Sequence, residues 1–208
     1  MECIDYSLKI ENKVLIEGLN ISFKKNVMNH LLGSNGVGKS CFAKSCVGML
    51  KHKGKIHADG EIRLIGSYSN VPLDFRLKDI MEILSKKFNK DNIMNLYKML
   101  KLNNIPDNIS IKKLSDGQKQ KIKLLSFLAS EPKIIILDEF TFALDKSTTL
   151  EIYEFLRAYL EKPGVVCLNI THNLSDIEYM EGNYYYFNNK SIEKVETKAE
   201  LVKFYMKG

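Results

Sequence analysis

Two periodic patterns of apolar and polar residues occur along the chain, and together they predict an alternation of strands and helices. Period-two alternation and short continuous apolar runs are typical of strands, and apolar residues three or four apart are typical of helices. Strands are predicted over residues 2–10, 14–23, 27–32, 53–57, 60–66, 134–137, 165–170 and 184–187. Helices are predicted over 39–50, over 77–102 in two segments, from 114–118 to Pro132, and over 146–161, 174–181 and 198–206.

This order of elements predicts an α/β fold in which helices flank a mostly parallel sheet. Residues 134–137, Ile-Ile-Ile-Leu, form an apolar run typical of a strand buried on both faces. The run at 184–187, Tyr-Tyr-Tyr-Phe, predicts a packing strand or an edge strand. Ligands of such folds bind beyond the carboxyl ends of the strands, so residues that follow strands are the candidates for function.

The most specific pattern in the chain is Gly-Ser-Asn-Gly-Val-Gly-Lys-Ser at residues 33–40. It matches the phosphate-binding P-loop, in which glycines let successive N–H groups turn toward a phosphate chain. Lys39 is expected to reach the β- and γ-phosphates, and the Ser40 hydroxyl is expected to ligate Mg²⁺. The residues predicted to bind the nucleotide here are Gly33, Ser34, Asn35, Gly36, Val37, Gly38, Lys39, Ser40 and Cys41.

Further motifs follow the P-loop in a characteristic order. Residues 114–118 read Leu-Ser-Asp-Gly-Gln, the apolar run at 134–137 closes in Asp138-Glu139, and His172 follows the predicted strand at 165–170. With Ala-Leu-Asp at 143–145, this order resembles the ATP-binding subunits of ABC transporters, in particular small single-domain members of the exporter type. The resemblance covers essentially the whole chain.

The resemblance implies a single ABC-type ATPase domain over residues 1–208, with the P-loop NTPase fold. Its RecA-like core, a mostly parallel sheet flanked by helices, is expected at about 1–70 and 131–208. The core should include an N-terminal antiparallel β part, and a small helical subdomain is expected at about 72–130. The stretch between Ser40 and Leu114 is short for the family, which predicts a reduced helical subdomain.

The resemblance also assigns roles within the site. Asp138 would hold Mg²⁺ through a coordinated water, Glu139 would polarise the attacking water, and His172 would contact the γ-phosphate. Together with Lys39, Glu139 and His172 form the predicted catalytic set. In the family, two subunits bind head to tail, and each ATP lies between one P-loop and the other subunit's signature. The residues expected to contact ATP in trans are Ser115, Asp116, Gly117, Gln118 and Asp145.

Three positions depart from the family pattern. Asn70 stands where a glutamine is expected, and as a Mg²⁺ ligand it would be one methylene shorter. Asp116 replaces the first glycine of the signature. The residue that stacks on adenine would fall near Lys9 or Ile10, neither of which is aromatic, and Tyr6 is the nearest candidate. A weaker base stack predicts looser discrimination between ATP and GTP.

The function that the resemblance implies is ATP hydrolysis with ATP and Mg²⁺ as cofactors. The chain would drive a separate integral membrane permease subunit by ATP-dependent dimerisation, either with itself or with a second ATPase subunit. Its cargo would be an exported peptide or small molecule. It is expected in the cytoplasm, peripheral on the inner face of the cell membrane.

Composition narrows the partners further. The net charge is +6, yet the lysines are spread along the chain without aromatic interleaving, so no nucleic-acid partner is expected. No apolar run approaches the roughly 18 residues that span a bilayer, and the N-terminus lacks a signal-peptide pattern. The four cysteines show no metal-ligand spacing and are typical of reduced cytosolic thiols.

Two other functions remain open at this point. One is an ABC-type ATPase that acts on nucleic acid or ribosomes, although the paired domains and coiled-coil inserts usual there are missing from this sequence. The other is a weakly hydrolysing regulatory ABC subunit. The departures at Asn70 and Asp116 favour this reading, whereas Glu139 and His172 argue against it.

Overall fold

The structure is a computed structural model that describes residues 1–142 and 144–207. Its strands are β1 (Glu2–Ile10), β2 (Lys13–Ser22), β3 (Met28–Gly33), β4 (Lys53–His57), β5 (Ile62–Gly66), β6 (Ile134–Asp138), β7 (Val166–Ile170), β8 (Gly182–Asn188) and β9 (Ser191–Val195). Its helices are α1 (Lys39–Cys46), α2 (Leu77–Lys87), α3 (Lys90–Met99), α4 (Asp116–Leu128), α5 (Lys146–Leu160), α6 (Leu174–Tyr179) and α7 (Lys198–Lys207).

A six-stranded sheet organises the molecule, with the strand order β5-β6-β7-β3-β8-β9. All neighbouring strands run parallel except β9, which pairs antiparallel with β8. Every residue of β3, β6 and β7 is buried, because helices or the second sheet cover both faces. The predicted α/β class with a mostly parallel sheet is confirmed.

A second, three-stranded antiparallel sheet has the order β2-β1-β4, which confirms the predicted N-terminal antiparallel part. β4 and β5 follow each other closely in sequence but belong to different sheets. Gly54 in β4 has a φ of 81°, and a Cβ there would lie 2.2 Å from the carbonyl oxygen of Asp5. Strands β1 and β4 therefore approach each other closely at a point that favours glycine.

The helices α2, α3 and α4 pack on the same apolar core as the large sheet. Leu84, Leu96 and Ile122 from these helices belong to one buried cluster with Ile65 of β5 and Leu137 of β6. The helical segment thus shares its core with the strands that carry the candidate site. The division into a RecA-like core and a helical subdomain remains an interpretation of the sequence.

Several boundaries differ from the prediction. α1 ends at Cys46 rather than at residue 50, and Gly48 follows it with a φ of 76°. Of the two alternatives for 184–187, the packing strand is confirmed: β8 lies between β3 and β9 rather than at an edge, and Tyr185, Tyr186 and Phe187 are buried. β9 was not predicted, because most of its residues are polar and only Ile192 and Val195 are buried.

Within residues 1–142 and 144–207, no helix combines the length and the apolar character needed to cross a membrane.

Ile136→Ala in the centre of β6 should lower the free energy of unfolding by about 2–5 kcal/mol, because Ile136 is fully buried and the surrounding sheet cannot collapse onto the cavity. Ile4→Ala, the same change at a position that is 39% exposed, should cost less than about 1 kcal/mol. Denaturant titration of both variants checks the contrast. Equal losses would contradict the placement of β6 at the centre of the core.

Candidate active site

The P-loop connects the buried strand β3 to helix α1. Gly36 and Gly38 adopt φ values of 76° and 122°, which residues with a side chain rarely adopt. A Cβ on Gly33 would lie 2.6 Å from the carbonyl oxygen of Phe187 on the neighbouring strand. The glycines therefore serve the fold as well as the loop, because they allow a tight turn directly above the sheet.

Lys39 opens α1 and folds back over the loop. Its ammonium donates hydrogen bonds to the carbonyl oxygens of Gly33 at 2.6 Å and of Ser34 at 3.0 Å. Burial lowers the pKa of Lys39, while the charges of Glu139 and Asp138 oppose that change. The loop thus holds a cation at its centre, at the place where a phosphate chain would need one.

Asp138, the last residue of β6, lies close to Ser40. The Ser40 hydroxyl donates to Oδ1 of Asp138 at 3.1 Å, although the two residues are 98 positions apart in the chain. Asp138 is only 3% exposed, and burial raises the pKa of its carboxyl group. The carboxylate and the hydroxyl together offer two hard oxygen ligands beside the P-loop.

Glu139 and His172 meet at the mouth of this site. Oε1 of Glu139 lies 3.1 Å from Nδ1 of His172, and both side chains are partly exposed. Glu139 has a φ of 51°, an uncommon backbone conformation for a residue with a side chain. The ring of Phe142 packs against the imidazole with 5.4 Å between ring centroids. A carboxylate is thus held next to an imidazole, an arrangement suited to orienting a water molecule.

A cavity of about 390 Å³ lies directly against the P-loop. It is lined by Ile10, Glu11, Lys13, Leu15, Asn35, Gly36, Gly38, Lys39, Ser40, Cys41 and Glu139. P-loop groups supply polar lining, and the side chains of Ile10 and Leu15 supply apolar lining. This combination suits a nucleotide, which carries an anionic phosphate chain and a flat apolar base.

The prediction that Tyr6 stacks on the base was wrong. Tyr6 is fully buried, its hydroxyl bonds to the Ser45 hydroxyl, and its ring packs against Phe42 and His52. The reason is an irregular register in β1, where Asp5 adopts a positive φ and turns Tyr6 into the core. Ile10, four residues further along, lines the cavity instead.

The signature residues open helix α4. Ser115 caps the helix by accepting a hydrogen bond from the Gln118 amide at 3.2 Å, and Oε1 of Gln118 accepts from the Ser115 amide at 3.0 Å. The side chain of Asp116 is 78% exposed and pairs with Lys119. A Cβ on Gly117 would lie 2.5 Å from Thr148, so this glycine is required for the contact between α4 and α5.

The signature and the P-loop cavity are separate within one chain. Among the residues that the structure describes, none of 115–118 lines the cavity. Asp145 caps α5 by accepting hydrogen bonds from the backbone and the hydroxyl of Thr148. Ala143, the first residue of the expected D-loop, lies outside the described residues. The trans roles of 115–118 and of Asp145 stay predictions.

Asn70 makes no hydrogen bond to the acidic pair in the described part of the chain. It is exposed, and its side chain makes no hydrogen bond to Ser40 there either. Tyr68, two residues earlier in the same loop, donates a hydrogen bond from its hydroxyl to Oδ2 of Asp138 at 3.0 Å. Sequence reasoning missed Tyr68. The sequence feature that could have indicated Tyr68 is its place in a polar loop that directly follows strand β5, since ligands bind beyond the carboxyl ends of such strands.

A buried polar network under the site was also missed. Asp176 of α6 is fully buried and accepts hydrogen bonds from Thr141 at 2.8 Å, from Tyr153, and from Asn169 at 3.3 Å. Asn169 also lies 3.3 Å from Nδ1 of His30, a fully buried histidine whose pKa is lowered to about 4 by burial. The network ties the segments after β6 and β7 together behind Glu139 and His172.

Metal ligation by protein side chains alone is not supported. Over residues 1–142 and 144–207, no group of three or more His, Cys, Asp or Glu residues is arranged to hold a metal ion. The Ser40–Asp138 pair instead fits the way proteins bind Mg²⁺, which takes one or two protein oxygens and fills its other positions with water and phosphate oxygens.

These features define a P-loop ATPase. The family model described as "ABC transporter" matches residues 16–142. The chain therefore belongs to the ABC transporter family, as an ATP-binding subunit with the ATPase activity of that family.

Relatives and solved structures agree with this assignment. The chain is 42% identical to the "Probable peptide export ATP-binding protein YydI" of Bacillus subtilis (strain 168), over 99% of both chains. It is 32% identical to the "Zinc import ATP-binding protein ZnuC" of Rickettsia bellii (strain RML369-C), over 84% of this chain and 76% of that one. The structure of an ATP-binding subunit of an ABC transporter superposes with a TM-score of 0.81 at 20% identity, covering 100% and 94% of the two chains, and this likeness concerns the fold.

Ile10→Tyr should tighten ATP binding at least about fivefold, because it adds an aromatic ring to the apolar wall of the cavity and base–aromatic stacking is worth about 1–3 kcal/mol. Ile4→Tyr places the same ring on β1 outside the cavity and should leave the affinity unchanged. Displacement of a fluorescent nucleotide measures both.

In the same assay with the wild-type protein, GTP should displace the fluorescent nucleotide nearly as well as ATP does. Much weaker displacement by GTP would contradict the weak base stack.

Proposed function

We propose that this chain is the ATP-hydrolysing motor of a peptide or small-molecule exporter and drives a separate membrane permease by ATP-dependent dimerisation. One observation carries the proposal: the carboxyl ends of the parallel strands bring together, beside a cavity suited to a nucleotide, the residues Lys39, Ser40, Asp138, Glu139 and His172. Each of these residues has the chemistry that phosphoryl transfer to water requires.

In this proposal the P-loop amides and Lys39 hold the phosphate chain of ATP. Glu139 accepts a proton from, and orients, the attacking water. His172 lies 3.1 Å from Glu139, so it can hold that carboxylate in place and approach the terminal phosphate. Positioning and charge neutralisation supply most of the catalysis, since a loose phosphoryl transition state needs little covalent chemistry from the protein.

Ser40 and Asp138 would hold Mg²⁺. The ion would neutralise charge on the β- and γ-phosphate oxygens when it is bound. The Ser40 hydroxyl oxygen and Oδ1 of Asp138 lie 3.1 Å apart, so Ser40 could ligate the ion while Asp138 holds it through a coordinated water.

The separation of the two half-sites supports the proposed dimer. The P-loop end of the molecule has the cavity and the catalytic groups, whereas Ser115 and Gly117 present the amino terminus of α4 elsewhere on the same chain. A helix amino terminus attracts anions. A second copy bound head to tail would bring this terminus to the phosphate end of the cavity, and one chain contains both halves, so we propose a homodimer.

An exposed apolar surface on the helical segment is the proposed contact with the permease. Leu73, Phe75 and Ile83 are 49%, 38% and 49% exposed, and they lie in and next to α2. Three large apolar side chains that are exposed within eleven residues of sequence suit a contact with a partner protein. The loop that carries Leu73 and Phe75 begins at Tyr68 beside Asp138, so the surface is connected directly to the active site.

Export of a peptide is proposed from the relative YydI, whose printed name describes peptide export and which is 42% identical over almost the full length of both chains.

Glu139→Gln should lower ATP hydrolysis at least about 100-fold, because it removes the base that orients water. The same variant should elute as a dimer in size-exclusion chromatography with Mg-ATP and as a monomer without it, since the nucleotide is trapped. Glu161→Gln, the same change at an exposed position after α5, should behave like the wild type. Wild-type hydrolysis in Glu139→Gln would contradict the catalytic role, and a monomer under all conditions would contradict ATP-driven dimerisation of this chain.

The triple variant Leu73→Ser/Phe75→Ser/Ile83→Ser should lose the membrane protein that co-purifies with tagged wild type from detergent extracts, because it removes the apolar contact surface. Its ATP binding should be retained. Phe204→Ser/Met206→Ser alters exposed apolar side chains at the other end of the chain and should keep the complex. A complex that survives the triple change would rule out this surface as the docking site.

A further inference from the structure

The loop after β5 is fixed in a tight turn directly beside the acidic pair. The Ser69 hydroxyl accepts a hydrogen bond from the Gly66 amide at 3.0 Å, and the Ser69 amide donates to the Gly66 carbonyl at 3.1 Å. Lys123 of α4 donates to the same carbonyl at 3.2 Å and is 8% exposed. The turn therefore has little freedom, and it is tied to the helix that begins with the signature.

The ring of Tyr68 is held on this turn by two contacts. It packs against Gly66, where an added Cβ would lie 2.9 Å from two ring atoms. The ammonium of Lys44, a residue of α1, lies 4.7 Å from the centroid of the Tyr68 ring, within reach of a cation–π interaction. These contacts direct the hydroxyl at Asp138, to which it donates at 3.0 Å.

Asp138 is consequently held at both carboxylate oxygens. Oδ1 accepts from Ser40 and Oδ2 accepts from Tyr68. At 3% exposure, Asp138 has almost no solvent to replace a missing donor, and an unsatisfied buried carboxylate is costly. The tyrosine hydroxyl therefore decides how the carboxylate plane is turned, and with it the direction in which Oδ1 points.

We propose that Tyr68 is a positioning residue for the magnesium–ATP site. Its hydroxyl holds Asp138 by Oδ2 so that Oδ1 stays directed at Ser40, which is the geometry in which both oxygens face one ion. The inference rests on the proposed function, in which Ser40 and Asp138 hold Mg²⁺. Tyr68 thus supports the metal site, whereas Asn70 is exposed and makes no hydrogen bond to Asp138.

Tyr68→Phe tests the proposal, because it keeps the ring with its Gly66 and Lys44 contacts and removes only the hydroxyl. ATP binding is measured with a fluorescent nucleotide, first in EDTA and then across a MgCl₂ titration. The Mg²⁺ concentration for half-maximal enhancement of binding should rise about tenfold, as is usual when a group that orients a metal ligand is removed. ATP binding in EDTA should not change.

Two comparisons separate this role from a general structural one. Tyr97→Phe removes a hydroxyl from a half-buried tyrosine on α3, away from the site, and should leave the Mg²⁺ dependence unchanged. In an Asp138→Asn background, Tyr68→Phe should have no further effect on the Mg²⁺ dependence, because the two groups act together.

The outcomes distinguish the inference from the proposed function. An unchanged Mg²⁺ dependence in Tyr68→Phe, or an equal loss of binding in EDTA, would overturn the role of Tyr68 while leaving the ATPase intact. A wild type that binds ATP without any response to Mg²⁺ would overturn both.

A second readout tests where residue 68 lies, since tryptophan keeps an aromatic ring at this position but not the hydroxyl. The chain contains no tryptophan, so Tyr68→Trp would carry the only indole. Its emission should change when MgCl₂ is added to the ATP-bound protein, and should respond far less to MgCl₂ without ATP. Emission that ignores Mg²⁺ in the ATP-bound protein would contradict the placement of residue 68 at the metal site.

Discussion

The site depends on one constraint, the level alignment of the carboxyl ends of the parallel strands β3, β6 and β7. Asp138 pairs with Ile170 across β6 and β7, and Ile170 pairs with Leu31 across β7 and β3. Parallel pairing therefore sets the P-loop, the acidic pair and His172 side by side. Every residue of the three strands is buried, because the sheet is covered on both faces.

Burial gives the aligned groups their chemistry. Asp138 and Lys39 are almost inaccessible to solvent, so each needs nearby partners. Lys39 finds them at the end of β3 and in the P-loop, and Asp138 finds them at the start of α1 and in the loop after β5. The more accessible Glu139 and His172 lie at the mouth of the site, where water can reach them. The loop after β5 leads directly into α2.

The sequence contained enough information for the fold class and for the grouping of the main residues. Lys39, Ser40, Asp138, Glu139 and His172 come together as their motifs predict, although their catalytic roles remain predictions. Each motif is local in sequence, and the parallel pairing of β3, β6 and β7 then brings the motifs together. The antiparallel edge strand β9 was missed because its polar residues carry little periodic signal.

Tertiary contacts account for the other misses. The irregular backbone at Asp5 turns Tyr6 into the core, and no residue pattern announces such an irregularity. The position of Tyr68 depends on a turn that a lysine 57 residues away helps to fix. The polar network around Asp176 joins α5, α6, β7 and the segment after β6, so its members are scattered in sequence.

The central claim is that ATP is hydrolysed between two copies of this chain, and mixing two inactive variants tests it most directly. Lys39→Ala disables the P-loop half of the site and Ser115→Arg blocks the signature half. Each should be inactive alone, whereas an equal mixture should regain about a quarter of the wild-type rate, because half of randomly formed dimers contain one intact site of two. A mixture no more active than its separate components would contradict the shared site.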